Sequence, residues 1–181
     1  MSQAVSDAGP LIHLAQIKKL QLLKRIFKRI SVTPRVKWEV VDEGIKLGRD
    51  DALAVRKAME EGWIVIEDTP KAMTSAAKRL AEGENISRLD AETILLAEEK
   101  GAKMTLVDEK VLSDLAKMYG LEVWSTWTIL LEAFSRGFIE IHDIESAINE
   151  LGERRHKLKA NQAAEILEAA KLVASRGRER E

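Results

Sequence analysis

The sequence predicts an α/β fold, a mainly parallel sheet with helices on both faces, extended by helices near the C-terminal end. Three observations carry that expectation. Short apolar runs alternate with longer amphipathic ones along most of the chain. The run WIVIED, residues 63–68, is apolar without interruption up to its closing acids, the pattern of a strand buried on both faces. Candidate helices are bounded by Ser or Thr caps, by Pro in the first turn and by closing Gly.

The elements follow in order. AVSD (4–7) is a short buried strand, and Pro10 fits the first turn of a helix over about residues 11–17, with Gly9 near its cap. A second helix covers about 20–27, and residues 30–33 form the next strand. Thr33-Pro34 has the order of a cap followed by a first helical position, so PRVKWEVVDEGIKLG opens a helix. DDALAVRKAMEEG is another, stopped by Gly62 before the strand WIVIED. Thr69-Pro70 repeats the cap and proline, with a helix over 71–82. SRLDAETILLAEEKG (87–101) is a helix from Ser87 to Gly101, KMTLVD (103–108) a strand, and EKVLSDLAKMYG a helix closed by Gly120. LEVW (121–124) is the last strand, followed by STWTILLEAFSRG, capped by Ser125. DIESAINELG and ANQAAEILEAAKLVAS are two final helices, and RGRERE is expected to fray. This divides the chain into a sheet domain over residues 1–140 and a helical extension over 141–181, packed on the same domain.

The 181 residues, 45% of them hydrophobic, suffice for one real core. The net charge of -1 gives no global basic field. Residues 1–50 nevertheless hold ten Lys and Arg against five Asp and Glu, most of the excess lying in KKLQLLKRIFKR (18–29). That segment is either an RNA-facing patch or an amphipathic helix with Leu20, Leu23 and Phe27 inward and Lys24, Arg25 and Lys28 in solvent. The absence of cysteine excludes disulfides, thiolate metal sites and a Cys nucleophile. No stretch approaches the ~18 apolar residues of a membrane span, and no basic-then-apolar signal opens the chain, so a soluble, cytoplasmic protein is expected. His13, His142 and His156 are scattered and receive no ligand role. The four tryptophans, Trp38, Trp63, Trp124 and Trp127, sit in apolar runs and read as core or interface.

The carboxylates are more informative. Asp7 and Asp108 each follow a strand, and ligands of open parallel sheets sit beyond the carboxyl ends of strands. Asp90 shares a helical face with Ile94 and Ala97, so it heads the buried stripe, whereas Glu92 and Glu99 fall on the solvent stripe. Glu39 lies on the helix after Pro34. Each has a plain structural explanation as well. Asp7 and Asp108 could cap helices, Asp90 stands three residues after Ser87 in a reciprocal capping pattern, and Arg35–Glu39 is an i, i+4 ion pair. Together they suggest a crowded acidic crevice, which stays ionised near neutral pH only beside a cation. Oxygen-only donors select hard divalent ions such as Mg²⁺ or Mn²⁺, and the matching chemistry is phosphodiester hydrolysis.

In order along the chain, VSDAGPLIHLA, TPRVKWEVV, LDAETILLA and TLVDEKVLSDLAKMYGLEVWSTWTILLEAFSRGFI resemble PIN-domain nucleases, in particular the toxin-like (VapC-like) branch of toxin–antitoxin pairs with its C-terminal helical tail. The resemblance implies a three-layer α/β/α sandwich that cleaves single-stranded RNA with Mg²⁺ or Mn²⁺. By motif position the catalytic and metal-binding acids would be Asp7, Glu39, Asp90 and Asp108, with Glu109 and Asp114 as outer members. It also implies an antitoxin protein covering the crevice, and the terminal helices would suit a homodimer. One departure is visible. The family often carries Ser or Thr just after the first Asp, where this chain has Ala8 and Gly9. Two other functions compete: a PIN-like scaffold that binds metal poorly, and an aspartyl phosphotransferase with Asp7 as nucleophile. Against the second, Gly9 stands where a dehalogenase-like enzyme has its second Asp.

Overall fold

The computed structural model describes residues 3–154 and 160–178. Five strands of three residues each form one sheet: β1 (Ala4–Ser6), β2 (Ile30–Val32), β3 (Ile64–Ile66), β4 (Met104–Leu106) and β5 (Glu122–Trp124). Their order is β3-β2-β1-β4-β5 and every pairing is parallel. Ala4 stands opposite Ile30 on one side and Met104 on the other. The central strand is buried along its whole length, which explains its small, uncharged AVS sequence. The ladder continues past the strand ends, with Asp7 N–H donating to Leu106 O (2.9 Å) and Val107 N–H to Trp124 O (3.0 Å).

Parallel neighbours need crossovers, and crossovers are right-handed. The chain runs from β1 outward to β3 and then returns to β4, so the helices before and after that reversal take opposite faces. The first set is α1 (Ala8–Gln16), α2 (Gln21–Phe27), α3 (Pro34–Lys37), α4 (Gly44–Lys46) and α5 (Asp50–Glu60). The second is α6 (Lys71–Glu84), α7 (Arg88–Glu99) and α8 (Lys110–Met118). This is the predicted α/β/α sandwich. On the second face Val5, Ile94, Leu96, Val107, Leu112 and Leu115 share one apolar cluster. Each fully buried Leu or Ile there stabilises the fold by about 1.5–3 kcal/mol.

Several local expectations need correction. The helix after Pro34 is not uniform: between α3 and α4, residues Trp38–Glu43 form a π-helical segment. Such wide turns often mark functional sites. Gly44, just beyond it, has Ala52 so close that an added Cβ would lie 2.6 Å from the Ala52 Cβ. The strand at 63–68 is an edge strand, not one buried on both faces, and Ile66 is 44% exposed. Pro70, not Thr69, holds the N-cap position of α6. That helix runs past Gly83 and closes on Asn85, whose φ of 53° is left-handed. In the basic segment Leu20, Leu23 and Phe27 are buried and Lys24, Arg25 and Lys28 exposed, as an amphipathic helix requires.

The chain divides into two compact units, Met1–Thr126 and Trp127–Glu181. The second holds α10 (Ile141–Glu153) and α11 (Ala160–Arg178), which pack on each other. Helix α9 (Thr126–Ser135) belongs, after its first residue, to the second unit as well. Ile144, Leu151 and Ala170 are fully buried. Helix α11 continues to Arg178, and the rest of the RGRERE tail lies outside the described residues, as does His156. Among the described residues, no helix is long and apolar enough to cross a membrane.

Candidate active site

The reversal of direction between β1 and β4 leaves a crevice at their carboxyl ends, the place where open parallel sheets bind ligands. Asp7 leaves β1 there in extended conformation (φ -73°, ψ 171°) and occupies the N-cap of α1. Its carboxylate makes no capping hydrogen bond. The residue is 8% exposed, and its Oδ1 is buried without a hydrogen-bond partner. Burial pushes its carboxyl up to about 7. The nearby negative charges of Asp90 and Glu39 push the same way, and the backbone amides of Ala8 and Gly9 pull against them.

Glu39 reaches this field from the π-helical segment. Burial raises its carboxyl above the usual range, Glu43 and Asp90 add to that, and Arg49 opposes it. Asp90 arrives from the first turn of α7, where it does cap: Ser87 N–H donates to Asp90 Oδ2 (3.2 Å) and Asp90 N–H to Ser87 Oγ (3.1 Å). The capping and the acidic-field explanations of Asp90 therefore hold together. The ion-pair explanation of Glu39 does not hold, because Arg35 turns instead to Glu92, Nε to Oε1 at 2.8 Å. Glu92 is only 2% exposed, which corrects its assignment to the solvent stripe.

Asp108 stands at the same edge but in a different state. Its expected role as helix cap belongs to Glu109. Its Oδ2 is 2.6 Å from His13 Nδ1 and accepts from Thr126 Oγ1 at 2.7 Å, while Oδ1 accepts from Thr126 N–H at 2.7 Å. Burial alone would raise its carboxyl, but the bonds from His13 and Thr126 outweigh burial and hold it below the ordinary value. Gly9 lies against it, and a Cβ there would meet Asp108 Oδ2 at 3.4 Å, an ordinary contact. Three of the four acids thus share one electrostatic field, and the fourth is clamped by neutral and imidazole donors. His13 and Thr126 carried no signal as site residues: a lone His on an apolar helix, and a Thr hidden in a capping pattern. Of the outer candidates, Asp114 pairs with Lys110 in solvent and Glu109 is exposed.

The donor set fits a hard divalent cation. An orphaned buried carboxylate oxygen and mutual repulsion among Asp7, Glu39 and Asp90 are what such an ion relieves. Among the described residues no three acidic or imidazole groups already surround a single point. Beside the acids lies a pocket of about 500 Å³ that includes Glu39, Trp38, Arg35, Arg88 and Glu92. Trp38 is 50% exposed there, unlike the buried Trp63, so of the two alternatives, core or interface, it is not a core residue.

A family model for the PIN domain, DUF3368, matches residues 3–172. The chain belongs to this PIN-domain family. PIN domains are in general metal-dependent nucleases using divalent ions, so the acids at the edge of this PIN sheet stand where hydrolytic chemistry is expected. Among solved structures, that of PAE2754 from Pyrobaculum aerophilum matches with a TM-score of 0.52 and 19% identity, over 72% of this chain and 96% of that one. That likeness speaks for the PIN fold alone. No curated protein matches the sequence closely enough to count as a relative.

Proposed function

We propose that this PIN domain is a Mg²⁺- or Mn²⁺-dependent endoribonuclease that hydrolyses single-stranded RNA and serves as the toxin of a toxin–antitoxin pair. The observation that carries this is Asp7: a buried carboxylate with an orphaned oxygen, at the β1/β4 reversal, in the field of Glu39 and Asp90. Asp7, Glu39 and Asp90 would hold the ion. Asp108 would complete the set from the far wall. A carboxylate offers about four lone-pair sites, and the three bonds to His13 and Thr126 leave one on Oδ1. Bound there, the ion would activate the attacking water and stabilise the leaving oxygen.

The chain's own residues do the rest. His13 and Thr126 fix the Asp108 carboxylate in its ionised form. Burial raises the Asp7 carboxyl to about 7, so near neutral pH it is partly protonated in the metal-free protein, and that proton must leave as the ion binds. The toxin role rests on the sequence resemblance. An antitoxin would cover the acids with a basic side chain, and Leu172 of α11, 60% exposed, supports pairing of two chains. The clamping of Asp108 favours one second reading, a PIN scaffold that binds metal weakly.

Cleavage of a single-stranded RNA, assayed with Mg²⁺, with Mn²⁺ and with EDTA, tests the proposal. Wild type should cut only with metal, and Asp7→Asn should not cut. Induced expression should arrest growth in wild type and not in Asp7→Asn. Metal-independent cutting, or full activity in Asp7→Asn, would overturn the metal-dependent mechanism, and no cutting in any condition would favour the scaffold.

A further inference from the structure

The pocket beside the acids has features that holding an ion does not require. Trp38 presents half of its surface to solvent from within the π-helical segment, next to Glu39. The pocket volume of about 500 Å³ falls among those of small-molecule sites, ~300–1,000 Å³. Two guanidinium groups line it, those of Arg35 and Arg88, together with the hydroxyl residues Thr69, Thr74 and Ser87. Arg35 is already turned to Glu92. Arg88 is not satisfied: its Nε is buried and has no hydrogen-bond partner among the described residues. A buried donor left unpaired is costly, so an acceptor from outside is the natural complement.

From this we infer that the pocket is a nucleotide subsite, in which one base of a single-stranded RNA stacks on the exposed face of Trp38 while Arg88 donates to a base edge or phosphate oxygen. The inference deepens the nuclease reading and rests on it for the choice of RNA. Glu39 borders both the pocket and the acid group, so a base seated on Trp38 would bring its neighbouring phosphate toward the carboxylates. Aromatic faces bind bases of any sequence, because every base has a π-face. A protein segment could also cover Trp38, but guanidinium and hydroxyl groups around one aromatic ring match a nucleotide better than an apolar anchor.

The test measures binding and cleavage separately. Anisotropy of labelled oligouridylate and oligoadenylate of about eight nucleotides, within single-strand site sizes, is followed in EDTA, in the wild-type and in the Asp7→Asn background. Trp38→Ala should weaken binding roughly tenfold or more, and Trp38→Phe should retain most of it. Arg88→Gln should weaken it as well. Melting temperatures of the variants show whether folding is intact, and the Phe variant keeps the ring if the Ala variant does not fold. Unchanged affinity in Trp38→Ala, or no binding in either background, would overturn the subsite. So would a changed elution volume of the protein alone in Trp38→Ala with RNA affinity unaltered, which would make this face a protein contact. Trp38-dependent binding without any cleavage would uphold the subsite and sink the nuclease reading. Metal-dependent cleavage indifferent to Trp38 would do the reverse.

Discussion

His13 Nδ1 and Asp108 Oδ2 stand 2.6 Å apart, bridging the first helix of the chain and the loop after β4. An ionised carboxylate only accepts, so the hydrogen of this bond sits on Nδ1. With Thr126 supplying two further donors, Asp108 accepts three bonds from the protein, where Asp90 accepts one from Ser87 N–H. The other three are left to repel one another.

The clamp predicts acid stability. The Asp108 carboxyl lies below its ordinary value of 3.8, so the native state binds its proton less readily than the unfolded chain. The stabilisation is present above about pH 4 and is lost as pH falls through the lower native value. His13→Ala or Thr126→Val should each cost about 1.5–3 kcal/mol at neutral pH, the worth of a bond to a charged group. Each should also flatten the stability profile at its acid end. Urea unfolding from pH 3 to pH 7 measures both.

Asp7 has the opposite sign. Its native carboxyl is near 7 against an ordinary 3.8, so the native state binds the extra proton. The contribution of Asp7 to the stability of the metal-free protein is fullest below about pH 4 and is lost as pH rises through 7. A shift of that size corresponds to about 4 kcal/mol. In EDTA at pH 8, Asp7→Asn should therefore be more stable than wild type, by up to that amount, with a shallower decline between pH 4 and pH 7. Were Asp7 an ordinary cap, its loss would instead cost about 1 kcal/mol.

Arg35 and Glu92 form a pair between a half-exposed guanidinium and a buried carboxylate. Arg35→Ala leaves that carboxylate without its partner and should cost about 1–3 kcal/mol. Glu92→Gln in the same chain should recover part of the loss, because an amide tolerates burial better than an unpaired charge. A double-mutant cycle by chemical denaturation gives the coupling.

Removing residues 156–181 should lower the melting temperature or change the oligomeric state, because α11 packs on α10 and carries the fully buried Ala170. Metal binding should survive in the truncated chain, since every proposed ligand lies in the unit Met1–Thr126. Loss of metal binding in a truncation that still folds would overturn this.

The architecture was legible because strand–helix alternation fixes crossover topology, and topology puts Asp7 and Asp108 at one sheet edge. Asp90 was legible because it shares a helical face with Ile94 and Ala97, both fully buried. Three things were not. Glu92 looked solvent-facing, because periodicity cannot register the Arg35 that reaches across from another element to neutralise it. The π-helical segment at Trp38–Glu43 breaks the 3.6-residue period on which face assignments rest, so Trp38 could not be divided between core and interface and Glu39 could not be told from its acidic neighbours. His13 and Thr126 meet Asp108 only through tertiary contact, and neither stands in a local pattern that would announce it.

The central claim is that Asp7, Glu39 and Asp90 hold a divalent cation. Calorimetric titration of Mn²⁺ into the metal-free protein at pH 6.5, repeated in buffers of different ionisation enthalpy, tests it most directly. The prediction is saturable binding with proton release, because the Asp7 carboxyl, near 7 when metal-free, must ionise to bind. Asp7→Asn should lose both the binding and the proton. Wild type that binds no Mn²⁺, or Asp7→Asn that binds as tightly and releases as many protons, would contradict the claim.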